Sequence, residues 1–250
     1  MSTLEGKVAV VTGAARGIGR SIAERLASDG ADIVSIDLTD SAETCEVVRA
    51  FGRRALGVVA DVSSPASVAA AAATVEKEIG AAHILINNAG LHPFATSFID
   101  MDYDLWRRAM SVNLDSMFLM CKAFHAQLRG AGGGRIINMS SSVVNIAPLG
   151  GVHYIASKAG VLGLTRGLAR ELGPDNITVN AIAPSIVETP GVAEMGLSPE
   201  IVEAVVASQI VKSVMGPRDL TGVISFLCSE DAAYLTGQHI HIDGGIVLSD

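Results

Sequence analysis

Val8-Ala9-Val10-Val11-Thr12-Gly13-Ala14-Ala15-Arg16-Gly17-Ile18-Gly19 passes from an unbroken apolar run into a glycine-rich turn, and Arg20 to Ser28 continues it with helical spacing. A short apolar run bounded by turn residues suits a strand buried on both faces. Glycines at 13, 17 and 19 let the backbone turn tightly and approach an anion closely. The following helix then points its N-terminal amides at that anion. Gly13, Arg16, Gly17, Ile18 and Gly19 are thus a candidate pyrophosphate cradle. The spacing is G-x-x-x-G-x-G rather than G-x-G-x-x-G, and by itself such a turn would also suit a methyltransferase or a purely structural bend.

Outward from this unit the same rhythm repeats. Apolar runs ending in a polar or glycine residue recur at Asp32 to Asp37, Leu56 to Asp61, Ile84 to Asn88, Arg135 to Ser140, Thr178 to Pro184 and His239 to Asp243. Between them lie segments with apolar residues at three and four spacing, among them Ile22 to Leu26, Val68 to Ile79, Leu105 to Leu128 and Val161 to Leu172. Strands alternating with helices predict an α/β fold, a doubly wound parallel sheet with helices on both faces and ligands beyond the strands' carboxyl ends. Ser185 to Gly216 breaks the rhythm with Pro190, Gly191, Gly196 and Pro199 around a helical stretch, Glu200 to Gln209. An insertion at that place reads as a substrate lid, with Met195, Leu197, Ile201 and Val205 lining an apolar cavity.

Composition narrows the function. The chain has 250 residues and no long polar linker, low-complexity tract or fixed-period repeat, so one domain spanning 1–250 is expected. Its apolar fraction of 49% is divided into runs too short to cross a bilayer. A formal charge of −8 argues against a nucleic-acid partner. Met1 to Lys7 lacks the apolar stretch of a secretory signal, and Cys45, Cys121 and Cys228 are odd in number and far apart, so reduced thiols in a cytoplasmic protein are expected and no metal site.

Two further clusters carry chemistry. Asp37 closes the second strand about twenty residues beyond the glycine turn, where a carboxylate can accept from both ribose hydroxyls of an adenosine and would repel a 2′-phosphate. This favours NAD over NADP, whereas Arg16 could pair with such a phosphate or equally serve the pyrophosphate. Asp61-Val62 could meet the adenine, and Asn88-Ala89-Gly90 could bring backbone against the nicotinamide ribose. Tyr154 and Lys158 stand one helical turn apart, with Ser141 upstream at the end of an apolar strand. A phenol titrates near about pH 10, so it serves as a base near neutrality only if a cation such as Lys158 stabilises its phenolate. Together these features suggest hydride transfer to or from a dinucleotide.

Thr12-Gly13-x-x-x-Gly17-x-Gly19, Asn87-Asn88-Ala89-Gly90, Asn113, Ser141, Tyr154-x-x-x-Lys158 and Asn180-Ala181 leading into Pro184 resemble the short-chain dehydrogenase/reductase family over the whole chain. The resemblance implies a single-domain Rossmann sheet of seven strands. It implies Tyr154 as general acid/base, Lys158 as the ribose ligand that lowers the Tyr154 pKa, Ser141 as the group positioning the substrate oxygen, and Asn113 as holder of a water in a proton relay. Pro184, Val187 and Thr189 match the segment that touches the carboxamide and phosphates. Ser141, rather than Ser140 or Ser142, stands at the family's interval before the tyrosine.

Ser185 departs from the glycine that the family usually carries after Pro184. That Pro-Ser pair, with Asp115-Ser116-x-Phe118-Leu119-Met120 and Asp219-Leu220-Thr221-Gly222, resembles bacterial NAD-dependent 1-phenylethanol dehydrogenases. A pocket of His92, Pro93, Phe94, Val144, Leu149 and Met195 would agree with a small hydrophobic alcohol or ketone. His239 and His241 share a face of the last strand and are expected against a helix or a subunit interface rather than on a metal, and His153 is expected to tune the base or fill a helix start. The helices bearing Asn113 and Tyr154 have apolar faces wider than one sheet needs, which fits the homotetramers common in the family. Three readings follow: an NAD-dependent secondary-alcohol dehydrogenase, an NADPH-dependent 3-oxoacyl thioester reductase, and a non-catalytic dinucleotide-binding module.

Overall fold

The computed structural model describes residues 4–91, 96–194 and 198–248. Seven strands form one all-parallel sheet: β1 (Val8–Thr12), β2 (Asp32–Asp37), β3 (Ala55–Val59), β4 (Ile84–Asn87), β5 (Gly134–Met139), β6 (Ile177–Pro184) and β7 (His239–Ile242), in the order β3-β2-β1-β4-β5-β6-β7. The order reverses between β1 and β4, so a crevice opens beyond their carboxyl ends. The register pairs Val10 with Val34 on one side and with Leu85 on the other.

Each central strand is largely apolar because both its faces are covered. Ala9, Val11, Ile33, Ile84, Ile86, Ile137 and Ile182 pack with Ile22 and Leu26 of helix α1 (Gly17–Ser28) and with Leu220, Ile224 and Leu227 of helix α10 (Arg218–Cys228). The alternate residues Val8, Val10, Val34, Ile36, Leu85, Ile136 and Val179 pack on the opposite face. Their partners are Val68 and Val75 of α3 (Pro65–Glu78), Met120 and Phe124 of α5 (Ser116–Gly130), and Ala169 of α7 (Val152–Leu172). Local sequence sets the helix starts. Ser64 caps α3 by accepting from Ser67 N, with Pro65 supplying the preset φ of a first turn, and Asp102 accepts from Leu105 N at 2.6 Å to open α4 (Tyr103–Met110).

Three expectations change. The single helix read over Leu105 to Leu128 is divided into α4 and α5 by a π turn, Ser111–Asp115, which contains Asn113. Helix α1 begins at Gly17 instead of Arg20, inside the glycine motif. A helix not anticipated, α2 (Ala42–Ala50), covers the turn, where Thr44 Oγ1 donates to Ala14 O at 2.8 Å. The remaining helices are α6 (Val143–Ile146), α8 (Pro190–Glu194) and α9 (Pro199–Ser208), the last two within the lid segment.

Candidate active site

The glycine turn is closed onto the end of β4. Thr12 Oγ1 accepts from Asn88 N and Ala89 N at 2.9 Å each, and Asn88 Nδ2 donates to Thr12 O at 2.8 Å and Gly13 O at 3.1 Å. Gly13 and Gly17 have φ of +64° and +61°, backbone that favours glycine. A Cβ on Gly19 would lie 2.1 Å from Gly13 O, and one on Gly13 2.9 Å from Ala89 Cα. Ile18 anchors the start of α1 on the core. Arg16, the residue capping α1, makes no side-chain cap, so the first amides of the helix are left for an anion.

Around this cradle stand the other expected contacts. Asp37 ends β2 and accepts from Ala15 N at 2.9 Å through Oδ2, and from Thr39 N and Thr39 Oγ1 at 3.1 and 3.2 Å through Oδ1. Arg16 turns its guanidinium to Glu194 of α8 in a two-pronged ion pair, Nη2 to Oε2 at 2.9 Å and Nη1 to Oε1. Asp61 shapes the turn after β3 by accepting from Ser63 N at 2.8 Å, beside the buried Val62. Thr189 lies against Gly17, whose added Cβ would come 3.7 Å from the Thr189 side chain. Val187 is buried and bridges Met215, and Glu188 N donates to Met215 O at 2.8 Å, so the first root of the lid is tied to its last residues.

The chemical end of the crevice forms where β5 delivers three serines to α7. The serines differ in their main partners, although Ser141 Oγ also reaches Pro184 O at 3.5 Å and accepts from Val143 N at 3.3 Å. Ser140 Oγ donates to Lys158 O at 3.1 Å and Ser142 Oγ to Pro184 O at 3.1 Å, whereas Ser141 is hydrogen-bonded to the Tyr154 hydroxyl. The three hydroxyls are not interchangeable, and Ser141 is the one joined to Tyr154. Lys158 is buried, donates from Nζ to Met139 O at 2.8 Å, and lies 5.7 Å from the Tyr154 ring centroid.

Burial raises the Tyr154 pKa above its ordinary value, with the Ser141 hydrogen bond acting against that rise, and burial pushes Lys158 down to about 8. Desolvation thus moves both groups towards their neutral forms.

Asn113 is fully buried, and its amide is consumed locally. Its Oδ1 accepts from Leu91 N at 2.7 Å, while Nδ2 donates to Leu91 O at 3.0 Å and Ser157 Oγ at 3.2 Å. With both amide hydrogens engaged, the side chain positions the segment after Gly90. Gly90 runs between this amide and Lys158, since an added Cβ would stand 3.2 Å from Asn113 Oδ1 and 3.6 Å from Lys158 Nζ. Ser157, which donates to Tyr154 O at 2.8 Å, and the Met139 carbonyl were not singled out from sequence. Ser157 could have been found from its place three residues after Tyr154; a main-chain carbonyl leaves no such trace.

The expected substrate pocket is only partly in view. His92, Pro93, Phe94, Met195 and Leu197 lie outside the described residues. Leu149 is 99% exposed and lines no enclosed cavity. Helix α9 buries none of its side chains; Ile201 is exposed and Val205 half-buried. His239 and His241 face each other edge to face, 4.5 Å between ring centroids, on the sheet's edge strand, and no cluster able to hold a metal exists among the described residues. His153 is buried with no hydrogen-bond partner for either ring nitrogen among the described residues, and burial lowers its pKa. The three cysteines are free and buried. Among the described residues no helix is long and apolar enough to cross a membrane.

Comparison with known proteins meets this geometry from three sides. A family model described as Enoyl-(Acyl carrier protein) reductase matches residues 13–247. The 3-oxoacyl-[acyl-carrier-protein] reductase FabG of Pseudomonas aeruginosa is 38% identical over 250 residues, covering 99% of this chain and 100% of that protein. A crystal structure from Sinorhizobium meliloti 1021, provisionally described as a short-chain alcohol dehydrogenase, is 37% identical with a TM-score of 0.93 and covers 97% of each chain. Carveol dehydrogenase from Mycobacterium avium, solved in complex with NAD, is 30% identical with a TM-score of 0.94 and covers both chains completely. With the glycine turn, the Ser141–Tyr154 hydrogen bond and the buried Lys158 in one crevice, the chain belongs to the short-chain dehydrogenase/reductase family.

Proposed function

We propose that this oxidoreductase reduces the ketone of a 3-oxoacyl thioester to the corresponding hydroxyacyl thioester, with Tyr154 as proton donor and a nicotinamide dinucleotide as hydride source. The observation that carries the reading is the hydrogen bond between Ser141 and the Tyr154 hydroxyl beside the buried Lys158. Reduction needs a proton donor at this place, and a phenol, protonated near neutrality, supplies one.

The residues present fit the dinucleotide. The Gly13–Gly19 contact leaves no space for a side chain, and the uncapped amides of α1 face outwards as a pyrophosphate would require. Gly13, Gly17, Ile18 and Gly19 would hold the pyrophosphate, with Arg16 at the rim of the turn engaged by Glu194, Asp37 would hold the adenosine ribose, and Asp61 and Val62 the adenine. Asn88, Ala89, Gly90, Tyr154 and Lys158 would line the nicotinamide ribose, with Pro184, Val187 and Thr189 at the carboxamide and phosphates. When bound, the nicotinamide supplies or accepts a hydride. Ser141 and Tyr154 together orient the substrate carbonyl oxygen, and Tyr154 releases its proton to that oxygen as negative charge develops there. Lys158 keeps the far side of the phenol fixed through its bond to Met139 O.

The substrate class rests on similarity to 3-oxoacyl-[acyl-carrier-protein] reductases along nearly the full chain. A second reading, NAD-linked oxidation of a hydrophobic secondary alcohol, is supported by Asp37 at the end of β2 and by likeness to an alcohol dehydrogenase solved with NAD. In either reading we assign NAD(H), because Asp37 would repel a 2′-phosphate. Initial rates on acetoacetyl-CoA and on acetophenone with 1-phenylethanol, each with NAD(H) and NADP(H) and with Tyr154→Phe as blank, separate the two. Faster turnover of the thioester supports the first reading; turnover of the aryl pair alone overturns it. A homotetramer in a reducing compartment is the assembly we infer, from the exposed Phe118 beside Leu114 and Gly160 and from the free cysteines, and light scattering tests it.

A further inference from the structure

We propose that Glu194 is a specificity-determining residue for the adenosine end of the cofactor, holding Arg16 in an ion pair so that no cation is offered to a 2′-phosphate. The inference rests on the nicotinamide reading above and extends it to a lid residue 178 positions from its partner.

A cation in the glycine turn beside Asp37 would ordinarily offset that carboxylate's repulsion of a phosphate. Here the guanidinium is engaged at both terminal nitrogens by the Glu194 carboxylate, and the hydrogen bond and charge of Glu194, with a smaller contribution from Asp37, all raise the Arg16 pKa. Arg16 therefore lies within electrostatic reach of two carboxylates. Ala15 N, one residue before it, donates to Asp37 at 2.9 Å, which fixes Asp37 and Arg16 side by side. The next cation of α1 is neutralised in the same way, since Arg20 bonds Glu43 of α2 at 2.8 Å and approaches Glu24 at 3.4 Å. A phosphate arriving here would have to displace Glu194 from Arg16 while facing Asp37. NAD(H), with hydroxyls only, meets no such competition.

The pair is exposed, about 60% on each side chain, so its hold on Arg16 is modest and its release should be read as a several-fold effect. The same exposure means that replacing Glu194 disturbs no core. The arrangement also ties the lid to the cofactor turn, with Glu194 at the last turn of α8 and Thr189, which accepts from Val192 N at 3.2 Å, resting against Gly17.

Equilibrium binding of NADH and NADPH to the full chain, followed by nicotinamide fluorescence, tests the assignment without turnover. Glu194→Gln should tighten NADPH about three- to tenfold and leave NADH within about twofold. In Glu194→Gln/Arg16→Gln the NADPH-to-NADH ratio should return to the wild-type value, because the gain requires the freed guanidinium. An unchanged ratio in Glu194→Gln, or a gain that survives loss of Arg16, overturns the role of Glu194 while leaving the enzyme reading intact. Wild-type protein that prefers NADPH overturns the NAD assignment and this inference together, and wild-type protein that binds neither nucleotide overturns the proposed function itself.

Discussion

Lys158 Nζ donates to the main-chain carbonyl of Met139 at 2.8 Å, and Ser140 Oγ returns a bond to Lys158 O at 3.1 Å, so the catalytic turn of α7 is locked to the end of β5 at two points. This bond holds the lysine in a place where its charge is poorly solvated, and burial brings its pKa from 10.5 to about 8. Between those values the unfolded chain binds a proton that the folded chain does not, so this group's contribution to stability rises with pH there; below the folded pKa its penalty is constant. Relative to Lys158→Met, the wild-type unfolding free energy should therefore climb by up to about 1.4 kcal/mol per pH unit across that window. Denaturant unfolding of both proteins at a series of pH values checks this. Parallel curves would show that the buried ammonium is not what titrates.

Three adjacent serines, of which Ser141 is the one joined to Tyr154, make a second test. Tyr154→Phe should lower kcat by about 10²- to 10⁴-fold, the span of a lost acid/base group, with NADH binding retained. Ser141→Ala should also act on kcat, since its hydroxyl is the one joined to Tyr154. Ser140→Ala and Ser142→Ala remove bonds to the Lys158 and Pro184 carbonyls and should cost stability of about 1 kcal/mol each. Steady-state rates and thermal unfolding on the same four variants separate these effects. Equal loss of kcat in all three serine variants would refute the division of roles.

Much of this was legible beforehand for a physical reason. Strands buried on both faces are largely apolar, so Val8–Thr12 and Ile177–Pro184, the latter interrupted by Thr178 and Asn180, stand out, and their ends differ from the reading by a residue or two at most. Tyr154 and Lys158 were visible because a helix repeats its face every four residues. Asn113 was found, but its π turn was not, since Ser111–Asp115 carries no glycine or proline to announce a break and the apolar spacing runs straight through it. Helix α2 was missed because only Thr44, Cys45 and Val48 of its residues are buried, too few to print a period. Burial of the phenol, and the Arg16–Glu194 pair, depend on distant segments meeting and have no local signature.

Asn113 supplies a third prediction. Replacing it with alanine unpairs the half-buried Leu91 N and O groups and removes a donor from the Ser157 hydroxyl, with an expected cost of about 1–3 kcal/mol. Because Leu91 follows Gly90, where an added Cβ would stand 3.6 Å from Lys158 Nζ, kcat should fall while the Tyr154-dependent pH profile keeps its shape. A variant of wild-type stability would show that the π turn holds its form without this amide.

Gly17 and Gly19 offer the sharpest contrast, two glycines of one motif required for different reasons. Gly17 has φ +61° but open space, with the nearest atoms to an added Cβ at 3.7 Å on Thr189, so Gly17→Ala pays only for left-handed backbone, about 1–2 kcal/mol. Gly19 has no such backbone strain, yet its Cβ would meet Gly13 O at 2.1 Å and Asn88 Nδ2 at 2.6 Å, atoms that belong to the seam between β1 and β4. Relief must come from moving main chain, which takes with it the Asn88 bonds to Thr12 O and Gly13 O. Gly19→Ala should therefore be the more destabilising change and should also weaken nucleotide binding, since the turn can no longer close. With about 2–4 °C of melting temperature per kcal/mol for a chain of this size, calorimetry resolves the ordering. The reverse order would mean that left-handed backbone, and not close approach of helix and sheet, is what this motif protects.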